Sequence, residues 1–311
     1  MSWPGDRPPG ASGAYGAGDL RYGGVTVLGS PEAGRYPCCN SLLVSGADGT
    51  VLVDPSLEVS RRGRGTGHVD WIAVSHGHED HVAGLGVFPQ VPAFVHRADV
   101  GAVRDPEILL AGFGMAPGPA AEFRAALHAD FGVRPHKDVR PVVDGDVIDL
   151  GGRSVTVLHL PGHTAGHCGF LVEPDGFLFL GDIDLTSFGP YYGDLSSDLD
   201  AFERSLARLR DVEARWYGTA HQRGVIKGRA EFLNRLAAFA AVIGRRDDAL
   251  LAMLSQPLTV EEVAARRLVY RPDVRLPFVE SVELRTARLH VDRLARHGLV
   301  CQEDGRFRAA G

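Results

Sequence analysis

The chain has 311 residues, of which 44% are hydrophobic and 23% are charged, and both fractions are ordinary for a folded globular protein. No stretch approaches the roughly 20 uninterrupted apolar residues of a membrane-spanning helix. The formal net charge of -6 disfavours a nucleic-acid-binding protein with a basic surface, although a local basic patch would be compatible with it. The N-terminus lacks the positive start and apolar core of a secretory signal, so we predict a cytoplasmic location.

The length predicts one large domain and one small domain. Residues 1–20 are rich in glycine and proline and are predicted to form a flexible tail. Residues 21–246 are predicted to form the main domain, and residues 247–311 a winged helix-turn-helix. The four cysteines form no CxxC pair, so reduced and mostly buried thiols are expected. They are Cys38, Cys39, Cys168 and Cys301.

Short apolar runs in the first half of the chain predict strands, several of which end at a polar residue. Helical patches broken by glycine and proline follow at residues 98–133 and are placed where they could cover a site. Two hairpins are then predicted, one with a Gly-Gly turn and one with Asp175-Gly176 at its turn. The strand-forming runs are VTVL, NSLLVS, TVLVDPS, VDWIAVSH and VPAFVH, and the hairpins span residues 146–163 and 169–182.

The second half of the chain is mainly helical. Apolar residues at helical spacing predict a helix over residues 199–209. After a short strand that ends at His221, residues 231–256 form a long amphipathic run, and Thr259 with Glu262 predicts a capping box. A further helix, a glycine stop and a strand–turn–strand complete the predicted winged helix. The mixture of strands and helices predicts an α/β layered architecture with a site at one edge of the sheets.

The sequence SHGHEDH, at residues 75–81, concentrates three imidazoles and two carboxylates directly after an apolar strand. On such a turn His76 and His78 can reach one metal ion, while Asp80 and His81 project toward a second. Imidazole and carboxylate ligands suit zinc and also iron, manganese or cobalt. A solvated polar turn is the alternative, but the HxHxDH spacing after a buried strand favours metal. Glu79 is predicted to be a solvated charge that points away from its neighbours.

Three more residues are predicted to join the same site, because each follows an apolar strand. They are His163 in PGHTAGH, Asp182 in LGD and His221 in GTAH. A carboxylate shared by two metal ions holds them roughly 3.5–4 Å apart around a bridging water. Asp182 is the best candidate for that bridge. His159 and His167 lie nearby without metal-ligand spacing, so we expect structural hydrogen bonds from them.

These motifs, together with Asp54 in LVDP, resemble the metallo-β-lactamase superfamily over about residues 25–226. The resemblance implies an α/β fold, an αββα sandwich with a two-metal site and a small C-terminal winged-helix domain. It implies His76, His78 and His163 as ligands of the first metal, Asp80, His81 and His221 as ligands of the second, Asp182 as the bridge and Asp54 as the residue that orients the site.

Within the superfamily, the sandwich followed by a long helix and a winged helix resembles the lactamase-beta-2-like and hydroxyacylglutathione-hydrolase-like branches. Two motifs depart from the common pattern. DPS follows Val53 where DTG is more usual, and His221 lies in GTAHQRG where PGHG is common. Both departures change the surroundings of the ligands, so they bear on the substrate more than on metal binding.

The predicted function is hydrolysis of an ester, thioester or lactone by a hydroxide that bridges two zinc ions, with iron or manganese as alternative metals. Asp80 would also orient the nucleophile and accept its proton. Tyr191 could reach a substrate oxygen, although packing at the rim explains it equally well. The apolar residues of the segment 98–133 suit an acyl group, and simple hydrophobic packing explains them as well.

Two other functions remain open at this stage. A nuclease or phosphodiesterase acting on single-stranded RNA would suit the winged helix, since such modules often bind nucleic acid. Its candidate recognition helix, however, mixes four arginines with two acidic residues, so its basic stripe is weak. A DNA-binding regulator that senses a metal or ligand is the third possibility. The expected partners are a small acyl or phosphoester substrate and a second copy of the chain in a possible homodimer, and nucleic acid is not favoured. The helix residues are Arg285, Arg288, Arg293, Arg296, Glu283 and Asp292.

Overall fold

The computed structural model describes residues 18–310, and two β-sheets packed face to face form its centre. The first sheet has seven strands in chain order. Its first four strands are antiparallel, and its last four are parallel. Its strands are β1 (Leu20–Tyr22), β2 (Val25–Leu28), β3 (Ser41–Ser45), β4 (Thr50–Val53), β5 (Trp71–Val74), β6 (Ala93–His96) and β7 (Val139–Val142).

The second sheet has six strands in the order β13-β12-β11-β10-β9-β8 and is antiparallel except where β11 and β12 run parallel. The two predicted hairpins are confirmed as β8–β9 and β10–β11. Gly176 at the second turn has a φ of 62°, a conformation that glycine adopts without strain. The strands are β8 (Val147–Asp149), β9 (Ser154–His159), β10 (Cys168–Glu173), β11 (Phe177–Phe179), β12 (Trp216–Gly218) and β13 (Val225–Lys227).

Helices cover the outer faces of both sheets. The predicted helix at residues 199–209 is confirmed as α6, and the side chain of Asp198 caps its N-terminus by accepting a hydrogen bond from the backbone N–H of Ala201. The segment 98–133 is helical as predicted. The helices are α1 (Leu57–Arg62), α2 (Glu79–Val82), α3 (Val100–Arg104), α4 (Pro106–Gly112), α5 (Pro117–Ala129), α6 (Leu199–Leu209), α7 (Arg229–Met253), α8 (Val260–Arg266) and α9 (Val279–Arg296).

Successive side chains of a strand point to opposite faces of its sheet, so one strand can contribute apolar residues to the layer between the sheets and to the layer under the helices. Val51 and Val53 of β4 face the second sheet and pack with Phe177 of that sheet. Leu52, between them, faces outward into the cluster under α3, α4 and α5. A third cluster joins the outer face of the second sheet to α6 and α7, where Phe232 is fully buried. The predicted αββα sandwich is confirmed.

The C-terminal part has a small core of its own between the end of α7, α8, α9 and the hairpin of β14 (Val300–Glu303) and β15 (Arg306–Ala309). The capping box at α8 is confirmed, since Thr259 and Glu262 exchange both hydrogen bonds. Helix α7 runs through residue 246 without a break, so the predicted domain boundary falls inside a helix. The boundary and the winged-helix assignment stay predictions.

Two further expectations concern the ends and the surface of the chain. The predicted tail lies outside the described residues except for its last three, and Leu20 already belongs to β1. Across residues 18–310, no helix has both the length and the apolar character needed to cross a bilayer. The four cysteines are free thiols, and all but Cys301 are buried.

A stacked histidine pair gives the fold a pH dependence. The rings of His96 and His159 are 3.9 Å apart at an angle of 10°, and His96 Nδ1 accepts a hydrogen bond from the backbone N–H of Ala98. Burial, reinforced by the charge of His159, lowers the pKa of His96 from 6.5 to about 4. The unfolded chain therefore binds the extra proton first as the pH falls, so the stability contributed by neutral His96 is complete above pH 6.5 and is lost toward pH 4.

We expect the free energy of unfolding of the wild type to fall more steeply between those pH values than that of His96→Gln, which cannot titrate. Urea unfolding at a series of pH values checks this. Parallel pH profiles of the two proteins would contradict it.

Candidate metal centre

The seven predicted ligands meet at one edge of the sandwich because each lies at the end of a strand or just beyond it. His76 and His78 follow β5, and α2 begins immediately after His78 and carries Asp80 and His81. His163 lies in the loop after β9. Asp182 follows β11, and His221 follows the parallel neighbour β12. Parallel strands end at the same edge of a sheet, which brings those last two residues together.

Three imidazoles form the first group. His76 Nε2, His78 Nδ1 and His163 Nε2 lie 3.0 to 3.1 Å from one another. Burial holds the pKa values of His76 and His163 well below their usual range, which favours the neutral form that binds metal ions. Ligands about 2.0–2.1 Å from a tetrahedral zinc ion lie about 3.3 Å apart, close to this spacing. The group therefore has the size of a metal-binding site.

The second group contains Asp80, His81 and His221. The nitrogen Nε2 of His221 lies 3.3 Å from Asp80 Oδ2, and Nε2 of His81 lies 3.7 Å from Asp80 Oδ1. All three residues are buried. Their ligand atoms lie within 4.8 Å of one another, as do those of the first group together with Asp182.

Asp182 lies between the two groups and turns one oxygen toward each. Its Oδ2 is 3.3 Å from His163 Nε2, and its Oδ1 is 2.9 Å from His81 Nε2 and 3.4 Å from His221 Nε2. Burial opposes the ionisation of this carboxyl, but the surrounding histidines, first His81 and then His221, outweigh it and hold the pKa of Asp182 well below its usual range. Asp182 is an ionised carboxylate placed between two sets of nitrogen and oxygen donors.

The hydrogen bonding shows that the donors fit metal ions. His81 Nε2 and Asp182 Oδ1 are buried and lack a hydrogen-bond partner among the described residues, because their 2.9 Å contact lacks hydrogen-bond geometry. Buried polar atoms without partners are costly in a folded protein. In the first group, acceptors lie at the outer nitrogens of His163 and His78, namely the carbonyl of Tyr191 and the carboxylate of Asp194, while the inner nitrogens of the three rings face one another without an acceptor between them. Both observations match a pair of metal sites.

The outer ring nitrogens are held by acceptors, which fixes the orientation of each imidazole. His163 Nδ1 donates to the carbonyl of Tyr191 over 3.0 Å, and His221 Nδ1 donates to the carbonyls of Gly34 and Cys38 over 2.7 and 3.0 Å. His78 Nε2 lies 3.5 Å from Asp194 Oδ2. The backbone carbonyls carry no sequence signal, so this part of the site could not be predicted from residue types.

Asp54 was predicted to orient the site, and it is fully buried beside the second group. Its carboxylate accepts hydrogen bonds from Ser75 N and Ser75 Oγ, both over 2.6 Å, and from His81 Nδ1 over 2.8 Å. The backbone of Asp54 has a φ of 47°, a conformation that non-glycine residues seldom adopt and that tends to occur at functional sites. These contacts support the predicted role.

Asp54→Asn tests that role. The variant loses the charge that holds His81, so we expect metal affinity of the second group, and catalytic activity, to fall about 10- to 100-fold. Metal titration followed by calorimetry measures this. Unchanged affinity in the folded variant would show that Asp54 has only a packing function.

Glu79 contradicts its prediction as a solvated charge. It is buried, with 2% of its surface exposed, and Oε1 accepts a hydrogen bond from the hydroxyl of Tyr36 over 2.9 Å. Burial, together with the neighbouring Asp80, raises the pKa of Glu79 to about 7. The prediction failed because residue 79 begins the short helix α2, whose four residues are all buried, and no periodicity can reveal burial on every side.

The remaining predictions near the site have mixed outcomes. His167 makes the expected structural hydrogen bonds, accepting from the backbone N–H of Asp182 and donating to the carbonyl of Leu160, each over 3.0 Å. Of the apolar residues in the segment 98–133, Phe113 lines the cavity beside the metal groups, whereas Leu109 and Leu110 pack in the core. Tyr191 lines the same cavity, and its role toward a substrate stays a prediction.

Among the cavity-lining residues that sequence reasoning missed are three aromatic ones, Tyr36, Tyr270 and Phe278. Tyr36 precedes β3, and the other two lie in the segment between α8 and α9. No motif marks them. They reach the site because of how the C-terminal segment packs against the sandwich, which is a long-range property of the fold.

The comparisons agree with this geometry. Residues 38–221 match the family model of the metallo-beta-lactamase superfamily, and the chain belongs to that superfamily. The predicted family is therefore confirmed. The chain is 25% identical to a metallo-beta-lactamase family protein of Thermus thermophilus, with a TM-score of 0.68, over 92% of this chain and 99% of that one.

Curated relatives match over shorter regions. An uncharacterized protein of Mycobacterium tuberculosis is 33% identical over 144 residues, 43% of this chain and 60% of that protein. A hydroxyacylglutathione hydrolase of Methylococcus capsulatus is 33% identical over 47% of this chain and 55% of its own length. An acyl-coenzyme A thioesterase, MBLAC2, of Gallus gallus is 34% identical over 38% and 43%. The chain thus spans 60% or less of the length of these relatives.

Proposed function

We propose that the protein is a hydrolase of esters, thioesters or lactones that holds two zinc ions between His76, His78 and His163 on one side and Asp80, His81 and His221 on the other. Asp182 is the proposed shared ligand. The observation that carries this proposal is the position of Asp182, whose two oxygens face separate groups of donor atoms. Imidazole and carboxylate donors also suit iron and manganese.

When bound, two such ions supply Lewis acidity, which makes water available as a nucleophile near neutral pH and polarises the bond to be cleaved. The protein residues hold and orient the reacting groups. Asp80, a buried member of the second group, would orient the attacking water and accept its proton through a carboxylate oxygen. Asp54 keeps His81 in one tautomer by accepting its Nδ1 proton.

The names of two relatives support a carbonyl substrate, since one is a hydroxyacylglutathione hydrolase and the other an acyl-coenzyme A thioesterase. The cavity beside the donors agrees with that class, because aromatic side chains form much of its wall. A buried aromatic wall binds an acyl group by removing apolar surface from water. We therefore favour a thioester or ester over a phosphodiester.

The contacts of α9 weigh against the RNA alternative. Arg293 pairs with Glu203 of α6, Arg296 donates to Asp200 over 2.7 Å, and Arg285 donates to the carbonyl of Ser197 over 2.8 Å. Three of the four arginines that would have contacted phosphates thus bind the sandwich, and Arg288 is exposed. Such pairing suits a helix that packs the C-terminal part against the main domain.

A substrate panel tests the proposal. Zinc-loaded protein is assayed on thioesters, a lactone and a labelled single-stranded RNA, with His78→Ala as the inactive reference. We expect thioester or lactone cleavage that His78→Ala abolishes. Cleavage of RNA alone, lost in His78→Ala, would overturn the choice of substrate.

A further inference from the structure

The segment between α8 and α9, residues 267–278, closes one side of the cavity that contains the proposed metal-binding donors. The cavity has a volume of about 90 Å³, and the residues between α8 and α9 contribute Tyr270 and Phe278 to its wall. A water molecule needs about 10–15 Å³ of such space, so the cavity holds several waters or one compact group. A long extended chain would have to project into solvent.

A row of stacked rings connects the C-terminal segment to a metal-binding imidazole. The ring of Phe278 stacks on Phe113 at 5.6 Å and 26°, and Phe113 stacks on His78 at 5.1 Å and 25°. Tyr36 meets Phe278 edge to face at 6.1 Å, and Tyr270 lies 5.8 Å from Phe188. Rings in these arrangements hold one another in fixed positions. The wall is therefore shaped before any substrate arrives.

Glu283 of α9 fixes the backbone that carries Tyr270. Its carboxylate, 1% exposed, accepts hydrogen bonds from the backbone N–H groups of Leu268 and Tyr270, both over 2.7 Å, and of Val269 over 3.1 Å. Bonds between a buried carboxylate and N–H groups are strong, and removal of the acceptor leaves the donors unpaired. The carboxylate thus positions Tyr270 at the cavity.

The charge of the cavity restricts what can enter it. Four acidic residues, Glu79, Asp80, Asp182 and Asp184, are among the described residues that line it, and neither lysine nor arginine is among them. Metal ions, when bound, would offset the charge of the carboxylates at the donor end of the cavity. The aromatic side of the wall has no lysine or arginine among its described residues, so a carboxylate placed there by the acyl group would lose its water without a cationic side chain to compensate, which is costly. An uncharged group meets no such penalty.

We propose that the segment between α8 and α9 is the substrate-selecting wall of this hydrolase, and that the cavity selects compact, uncharged, apolar acyl groups. Tyr270 is the specificity-determining residue, and Glu283 is the residue that positions it. This inference rests on the proposed hydrolase activity. It assigns a function in substrate selection to the part of the chain that the sequence predicted to be a winged helix.

Three thioesters of N-acetylcysteamine test the proposal with zinc-loaded full-length protein: acetyl, 4-methylphenylacetyl and 4-carboxyphenylacetyl. The last two are nearly equal in size and differ in charge. We expect wild-type kcat/KM to favour the methyl compound over both others, by roughly tenfold or more, the scale on which apolar pockets discriminate. Equal kcat/KM values for the methyl and carboxylate compounds, or a preference for the carboxylate, would overturn the charge argument.

Amino-acid substitutions test which residues determine the preference for one acyl group over another. Tyr270→Ala is expected to reduce the preference for 4-methylphenylacetyl over acetyl roughly tenfold, mainly through KM, and Tyr270→Phe to restore most of it. Glu283→Ala should reduce the same preference, and the double variant should show little further loss, because both changes act on one wall. Leu299→Ala, at an exposed residue of the C-terminal part, is the matched control with wild-type preference. Should Tyr270→Ala fail to fold, Tyr270→Leu replaces it.

A binding measurement separates this proposal from the activity. The ketone 1-(4-methylphenyl)-2-butanone keeps the 4-methylphenylacetyl group and cannot be hydrolysed, and calorimetry should show it binding the wild type roughly tenfold more tightly than Tyr270→Ala. If no thioester is cleaved but this difference remains, the hydrolase proposal fails and the selecting wall stands. If thioesters are cleaved while Tyr270→Ala changes neither preference nor binding, the wall proposal alone is wrong.

Discussion

Asp182→Asn is expected to lose activity on the order of 10³-fold in kcat/KM and to bind both metal ions more weakly. The carboxylate has an oxygen 2.9 Å from His81 Nε2 and another 3.3 Å from His163 Nε2, so it serves both groups. Replacing it by a neutral amide would remove a negative charge between the two proposed metal ions. A metal ion stabilises the charge of a transition state by several kcal/mol. Because each 1.36 kcal/mol of activation free energy changes the rate tenfold, losing about 4 kcal/mol of that stabilisation lowers the rate about 10³-fold.

Steady-state kinetics and metal titration of the same preparation measure this result. Asp248→Asn is the matched control, because that carboxylate is exposed on α7, outside the site. An Asp182→Asn variant that keeps wild-type affinity for both ions would show that the residue is not shared between them.

His163→Ala is expected to retain one metal ion per chain and to lose activity on the order of 10³-fold. The change removes one of three nitrogens that lie 3.0 to 3.1 Å apart, which leaves the first group incomplete. Asp80, His81 and His221 keep their positions and can still hold the second ion. Only one of the two sites should therefore be lost.

Elemental analysis after dialysis against limiting zinc shows the number of ions retained. His128→Ala, at an exposed residue of α5, controls for the loss of a histidine. Two ions in folded His163→Ala would mean that the ligand assignment is wrong. His221→Ala should give the complementary result, with the first ion retained and the second lost.

Local patterns were sufficient to predict much of the fold and the position of the site. Hydrophobic runs marked most strands, and the Gly-Gly and Asp-Gly turns marked two hairpins, because both signals lie within a few adjacent residues. The predicted ligands could be placed together because each one lies shortly after a strand, and strand ends share an edge of a sheet. Strand β7 and the short helix α1 were missed, since neither has a periodic pattern.

The parts that sequence did not predict depend on contacts between distant residues. Glu79 was taken for a surface charge, yet it is buried and accepts a hydrogen bond from Tyr36, which lies 43 residues away in the chain. Tyr270 and Phe278 line the cavity, and the backbone N–H of Tyr270 donates a hydrogen bond to Glu283 of α9, 13 residues further along the chain. Neither residue lies in a motif, so a chain read segment by segment cannot show that they belong to the site.

The C-terminal helices illustrate how packing changes a functional interpretation. A helix with four arginines near a predicted wing suggested nucleic acid. In the structure Arg293 pairs with Glu203 and with Asp247, which also accepts a hydrogen bond from His290 over 2.6 Å. A helix in which three of four arginines contact the sandwich is better suited to packing the C-terminal part against it than to binding a phosphate backbone.

Metal content of the purified wild-type chain tests the central claim most directly. After zinc loading and removal of free metal, elemental analysis of the folded protein should give two ions per chain, and addition of a chelator should abolish hydrolysis. Folded protein that retains no divalent ion under those conditions would contradict the account, since the buried imidazoles and carboxylates would then meet for another reason.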